Sequence, residues 1–217
     1  MSRLMSRLID IVLKAQSMLL INMGELTYQA LSTSTTAYLE GLTVQDQVRE
    51  MSDKLLLMAD EVEDRSFELI SRFQPVASDL RTIKSYMKIG YDFSRYGRYA
   101  LDIACINEQI HGLKTCRMNI KDSVEKMSET VLQMVKISVD ALRTHDVELA
   151  RTIAKLECEV DEMYLNHLKL LDEENDTTKC TVSSALTARY LERIADHAVY
   201  VCESIIYIVT GEKTRMR

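Results

Sequence analysis

The sequence predicts an all-α protein of six long helices, arranged as two repeated antiparallel three-helix bundles over residues 1–108 and 109–217. Three observations carry this expectation. One proline and six glycines in 217 residues are too few breakers for the turns of a many-stranded sandwich or barrel. Apolar residues make up 47% and charged residues 28%, an ordinary folded composition that excludes disorder over most of the chain. Apolar side chains recur at steps of three and four through long uninterrupted stretches.

The first helix is expected from Leu4 to about Leu39, with Leu4, Leu8, Ile11, Ala15 and Met18 as its apolar stripe. Its opening resembles a leader peptide, but Asp10 and Lys14 interrupt the apolar run and no clean small-residue cleavage site follows. Gly41 and Thr43 break the helix, and Thr43 followed by Asp46 suits the next helix start. The second helix carries the seam Val48, Met51, Leu55, Met58 and Val62 and ends near Phe73, where Gln74-Pro75 forces a stop. The third runs from about Ser78 to Glu108. Residues 109–115, with Gly112, link the halves. The fourth helix reaches about Arg143, and Thr144-His145-Asp146 forms the next turn. The fifth has the seam Leu149, Ile153, Leu156, Val160, Met163, His167 and Leu170, and the polar run from Asp172 to Thr178 ends it. The sixth carries Leu191, Ile194, Ala198, Val201, Ile205 and Ile208 and closes at Thr210-Gly211, a glycine suited to a C-cap. A shift of 98 residues places Glu61-Val62 on Glu159-Val160, Arg95 on Arg193 and Ala100 on Ala198 without a gap, as a diverged duplication would.

The formal charge is −6, and residues 1–108 (12 basic, 15 acidic) and 109–217 (15 basic, 18 acidic) each contribute −3. No basic domain is present, which argues against nucleic acid as the main ligand. The tail cations Lys213, Arg215 and Arg217 read as a frayed, solvated end. Cys105, Cys116, Cys158, Cys180 and Cys202 are odd in number and irregularly spaced, so buried free thiols are expected. No stretch of about 18 uninterrupted apolar residues exists to insert in a membrane. A soluble cytoplasmic protein is the expectation.

Two acidic pairs suggest chemistry. Glu157 and Asp161 share one helix face, as do Glu192 and Asp196, with Glu203 three turns beyond Glu192. Convergence of these carboxylates on a groove would call for a cation. An all-oxygen set favours iron, manganese, magnesium or calcium, with zinc less suited. These five acids are the candidate metal ligands of the second bundle. Their alternative is a solvated charged face. His167, on an apolar seam, reads as a hydrogen-bonded core histidine, and His197 points about 100° away from Asp196. Tyr86, Tyr91, Tyr96 and Tyr99 crowd the third helix as core or rim residues, or else as a partner surface.

The stretch LERIADHAVYVCESIIYIVTGE (Leu191–Glu212) resembles the closing signature of the PhoU family of phosphate-signalling regulators. RFQPVASDLR (Arg72–Arg81) resembles its first-half signature, and HDVELARTIAKLECEVDEMY (His145–Tyr164) the opening of its second repeat. The resemblance covers residues 14–212. It implies two repeated three-helix bundles, no catalysis, a cytoplasmic homodimer, and restraint of phosphate uptake through a Pst-type ABC transporter and a sensor histidine kinase. It also implies metals on E(D)xxxD motifs, which fall here on Glu157, Asp161, Glu192, Asp196 and Glu203. In the first half the same positions hold Ala59, Glu63, Ser94, Arg98 and Cys105, so that metal site is expected to be lost, with Arg98 standing in for the cation against Glu63. Asp60 and Asp64 lie out of register.

Two rival functions have sequence signatures. A carboxylate-bridged metal oxidase needs Glu-x-x-His pairs facing a bundle core, and none is paired here. A metal-free helical scaffold or adaptor needs only the solvated acidic face. A hydrolase is disfavoured by the lack of a phosphate loop, nucleophile elbow or HExxH.

Overall fold

The computed structural model describes residues 2–173 and 177–216, with side chains from residue 8 onward. The expectations that fall on the side chain of Leu4, on residues 174–176 of the polar run and on Arg217 lie outside this range. Seven helical segments are described: α1 (Ser2–Glu40), α2 (Gln45–Phe73), α3 (Ala77–Ile110), α4 (Met118–Thr144), α5 (Val147–Arg151), α6 (Ile153–Glu173) and α7 (Thr178–Thr210). The all-α expectation holds. The predicted fifth helix is split into α5 and α6 at Thr152, whose hydroxyl (2.6 Å) and N–H (3.1 Å) both donate to the Leu149 carbonyl. This local competition tightens the turn and interrupts the ladder.

The helix ends follow the punctuation in the sequence. Gln74 takes the left-handed conformation (φ 46°) just before Pro75. Asp146 caps α5 by accepting the Leu149 N–H at 3.0 Å. Gly211 ends α7 at φ 78°, its N–H on the Tyr207 carbonyl. Thr43 does not cap α2: Val44 holds the N-cap, without a side-chain bond.

The α2, α6 and α7 seams face inward as expected, with Val48, Leu55, Val62, Val160, Leu191 and Ile194 fully buried. The α1 stripe does not. Leu8, Ile11, Ala15 and Met18 are exposed, and the helix buries Ile9, Gln16, Leu20, Met23, Thr27, Leu31 and Tyr38. Gln16 explains part of the inversion: its amide donates to the Val62 carbonyl (2.9 Å) and to Ser66 Oγ (2.6 Å) on α2. A polar side chain with bonded partners is stable inside, so apolar spacing alone misassigns the face.

α1, α2 and α3 pack on one another, as do α4, α6 and α7. The two groups are not separate cores. α3 crosses α7, α1 lies on α4, and one continuous apolar cluster runs from Leu20 and Phe93 to Val135 and Ile205. The link between them is tied down. His111 (φ 64°) and Gly112 (φ 63°) reverse the chain, and the Leu113 N–H donates to the Tyr38 carbonyl at 3.0 Å. A β-carbon on Gly112 would collide with that carbonyl oxygen.

This turn brings Cys116 beside the first helical turn of α7, where it is disulfide-bonded to Cys180 with Cα atoms 5.7 Å apart. The expectation of five buried free thiols is corrected by this bond. Cys202 is a buried thiol, Cys105 is half-buried and Cys158 is exposed. The basic tail is solvated as expected at Lys213 and Arg215, but it is anchored rather than frayed, with the Met216 N–H on Glu203 Oε1 at 2.9 Å. Among the described residues, no helix is long and apolar enough to cross a membrane.

Candidate functional site

Helix α7 is the backbone of the site. Its inner face carries the seam, and its flank carries Arg189, Glu192, Arg193 and Asp196 in two successive turns. The spacing makes each arginine the neighbour of the acid three residues on. Arg189 Nη1 lies 2.7 Å from Glu192 Oε1, and Arg193 Nη1 lies 3.1 Å from Asp196 Oδ2, with Arg193 Nε 3.8 Å from the second Glu192 oxygen. Arg189 also lies over the Tyr164 ring of α6 at 5.7 Å.

These contacts correct the metal expectation. Of the five acids singled out, Glu192 and Asp196 are nearly buried and held by guanidinium groups, which supply the positive charge a cation would bring. Glu203 accepts a tail amide. Glu157 is buried on α6 with the Cys158 thiol 3.8 Å from its carboxylate, while Asp161 is exposed. Among the described residues no group of three His, Cys, Asp or Glu side chains is placed to hold a metal ion, and nothing there supports a second-bundle site for iron, manganese, magnesium or zinc.

In the first half the equivalent furrow between α2 and α3 is a groove of about 710 Å³. Asp53, Asp60 and Glu63 line one wall, Arg95 and Arg98 the other, with Leu56 and Met87 between them. Arg98 does not close on Glu63. Its Nε lies 3.6 Å from Asp102, four residues along the same helix, where burial pushes the Asp102 carboxyl up against the pull of Arg98 and Arg95. Arg95 reaches Tyr99, donating to the phenol oxygen at 2.9 Å. Tyr91 stands exposed at the groove edge, while Tyr86 and Tyr96 are buried.

The α3–α7 crossing holds a feature that sequence reasoning missed. Asp92, only 2% exposed, meets His197 Nδ1 at 2.8 Å. The rings of Tyr91, Tyr96, Tyr99 and Tyr200 surround that histidine at 5.6–6.5 Å between centroids. Burial pushes the Asp92 carboxyl above its ordinary range, with His197 and then Lys88 pulling the other way. His167 behaves as expected of a core histidine: it is 1% exposed, 3.0 Å from Ser123 Oγ, and burial pushes its pKa down to about 4.

The same architecture occurs in known proteins. The PhoU domain matches this chain twice, over residues 20–106 and 124–205. The chain belongs to the PhoU family. It thereby joins a family of phosphate-regulatory, non-catalytic proteins. The "phosphate-specific transport system accessory protein PhoU homolog" of Clostridium acetobutylicum is 34% identical over 161 residues, which cover 72% of this chain and 73% of the relative. The PhoU homolog of Pseudomonas aeruginosa is 29% identical over 205 residues, covering 90% and 83%. The crystal structure of PhoU from Pseudomonas aeruginosa superposes with a TM-score of 0.87 at 27% identity, covering 94% of this chain and 99% of that one. The PhoU structure from Streptococcus pneumoniae, at 23% identity, shares the fold with a TM-score of 0.73 over 95% and 99%.

Proposed function

We propose that this protein is a non-enzymatic restraint on phosphate uptake, acting in the cytoplasm as a homodimer by docking a helical face on a Pst-type phosphate ABC transporter or on its associated sensor histidine kinase. The observation that carries this reading is the double PhoU match along both halves. The names of the Clostridium acetobutylicum and Pseudomonas aeruginosa relatives, accessory proteins of phosphate-specific transport, support it. The docking face assigned to the task is the α2–α3 groove. It combines opposed rows of charge with Leu56 (57% exposed) and Tyr91 (58% exposed), the mixture of aromatic anchor and charged rim that suits a reversible interface.

The second-bundle acids take a different part in this reading. Glu192 and Asp196 pair with Arg189 and Arg193 along α7, Glu157 lies buried on α6, Glu203 holds the tail, and Asp161 remains a surface acid.

The test is phosphate uptake in cells lacking the protein. Uptake in high-phosphate medium rises on deletion and returns to normal with the wild-type chain. A Leu56→Asp/Tyr91→Asp variant with unchanged helical content fails to restore it. Uptake indifferent to the deletion overturns the reading, and full rescue by the variant moves the docking face elsewhere.

A further inference from the structure

The last described residues build a second concavity, which shares Lys88 of α3 with the docking groove. Beyond Gly211 the chain folds back along α7, and the Met216 N–H anchors it on Glu203 while the Met216 side chain packs against the main core. Arg81 braces the turn from α3, its guanidinium 5.9 Å above the Tyr207 ring and against Gly211. The tail so held forms one wall of a cavity of about 220 Å³ between α3 and α7.

The charge in this cavity is one-sided. Lys84 and Lys88 line it from α3 and Lys213 and Arg215 from the tail, all four at its solvent-exposed rim. Glu203 is the lone carboxylate, and one of its oxygens is taken by the tail amide. No ion pair at 4 Å or less engages Lys84, Lys213 or Arg215 among the described residues. Lys88 sits over the Tyr200 ring at 5.2 Å. Ser85 and Thr214 add hydroxyls to the lining. Four cations around one small hollow repel one another, and in a chain of net charge −6 their gathering has no global cause. An oxyanion between them relieves the repulsion and accepts their hydrogen bonds.

We infer that this cavity binds a small phosphate-type oxyanion, inorganic phosphate or pyrophosphate. The volume sets the class: it accommodates one or two phosphoryl groups with their water, whereas pockets for larger organic ligands start at roughly 300 Å³. Docking on a partner requires no such ligand, so this inference goes beyond the function proposed above and stands or falls on binding alone.

The experiment is calorimetric titration of the full chain at fixed ionic strength with inorganic phosphate, pyrophosphate and ATP in turn. Three proteins are compared: wild type, Lys84→Ala/Arg215→Ala, and Lys54→Ala/Lys126→Ala, which removes the same charge elsewhere. Circular dichroism verifies that each is folded. Saturable one-to-one binding of phosphate or pyrophosphate is expected, weakened at least about tenfold by the cavity variant and less than about twofold by the control. Three results overturn the inference: no saturation by either anion up to about 10 mM, equal weakening by both variants, or ATP binding about tenfold tighter than pyrophosphate.

Discussion

His197 Nδ1 lies 2.8 Å from Asp92 Oδ1 across the α3–α7 crossing, and the residues 98 positions from each, Tyr99 and Tyr190, stack on one another at 5.8 Å. The duplication therefore uses one crossing twice, first as a polar pair and then as two rings. The polar version sits in the interior, where a lost partner is expensive. Asp92→Ala is expected to lower unfolding free energy by about 2 kcal/mol, and Asp92→Asn by less, because the amide oxygen still accepts a hydrogen bond. Urea denaturation measures both. An alanine variant as stable as wild type would mean that the pair contributes nothing.

His167 makes stability depend on acid. Its folded pKa of about 4 lies below the ordinary value of 6.5, so between these limits the unfolded chain binds the proton and the folded chain does not. Its contribution is complete above pH 6.5 and is lost progressively as pH falls toward 4, an effect of roughly 3 kcal/mol. His167→Gln should flatten the stability profile over this window while leaving the slope elsewhere unchanged. A parallel profile in the variant would assign the acid sensitivity to other groups.

The Cys116–Cys180 bond closes a loop with a sequence separation of 64 residues. Chain-entropy reasoning gives such a cross-link about 4 kcal/mol, an upper figure for a bond in undistorted surroundings. Adding a dithiol reductant, or substituting Cys116→Ser, should lower the urea midpoint in step with that loss. Thiol titration of the unreduced, denatured chain should find three free cysteines. Five would show the bond to be absent.

Arg193 neutralises a buried carboxylate. Arg193→Ala should cost about 2 kcal/mol by removing the 3.1 Å charge-assisted bond to Asp196 and the longer contact with Glu192. Extensive dialysis against chelator should leave the melting temperature of the wild type unchanged. A fall on chelation, restored by one added metal, would contradict the arginine-closed arrangement.

Much of the fold was legible because α2, α6 and α7 place Leu, Ile and Val at uniform three- and four-residue steps. Helix α1 was misread because its inner face holds Gln16 and Thr27, whose cross-helix bonds are invisible to a hydrophobic count. The acidic face was legible in position and not in consequence. Spacing showed that Glu192 and Asp196 share a flank, but it could not show what satisfies them. A local signal was available: Arg189 and Arg193 each stand three residues before an acid. Asp92 and His197 are 105 residues apart, and Cys116 and Cys180 are 64 apart, so neither pair leaves a local trace. Both are products of how α3 and the interhelical turn meet α7.

The unequal use of the α3–α7 crossing has a consequence for the two halves as interchangeable parts. An assembly of two identical chains repeats every contact about its axis, so each residue there must suit two equivalent places. One chain carrying both halves is free of that demand and lets one end become polar and the other aromatic. A chain built from two copies of the first half would face Asp92 with Tyr99 at both ends, and one built from two second halves would face Tyr190 with His197. Neither arrangement reproduces a pair present here. The halves share a fold, yet each has become the specific complement of the other.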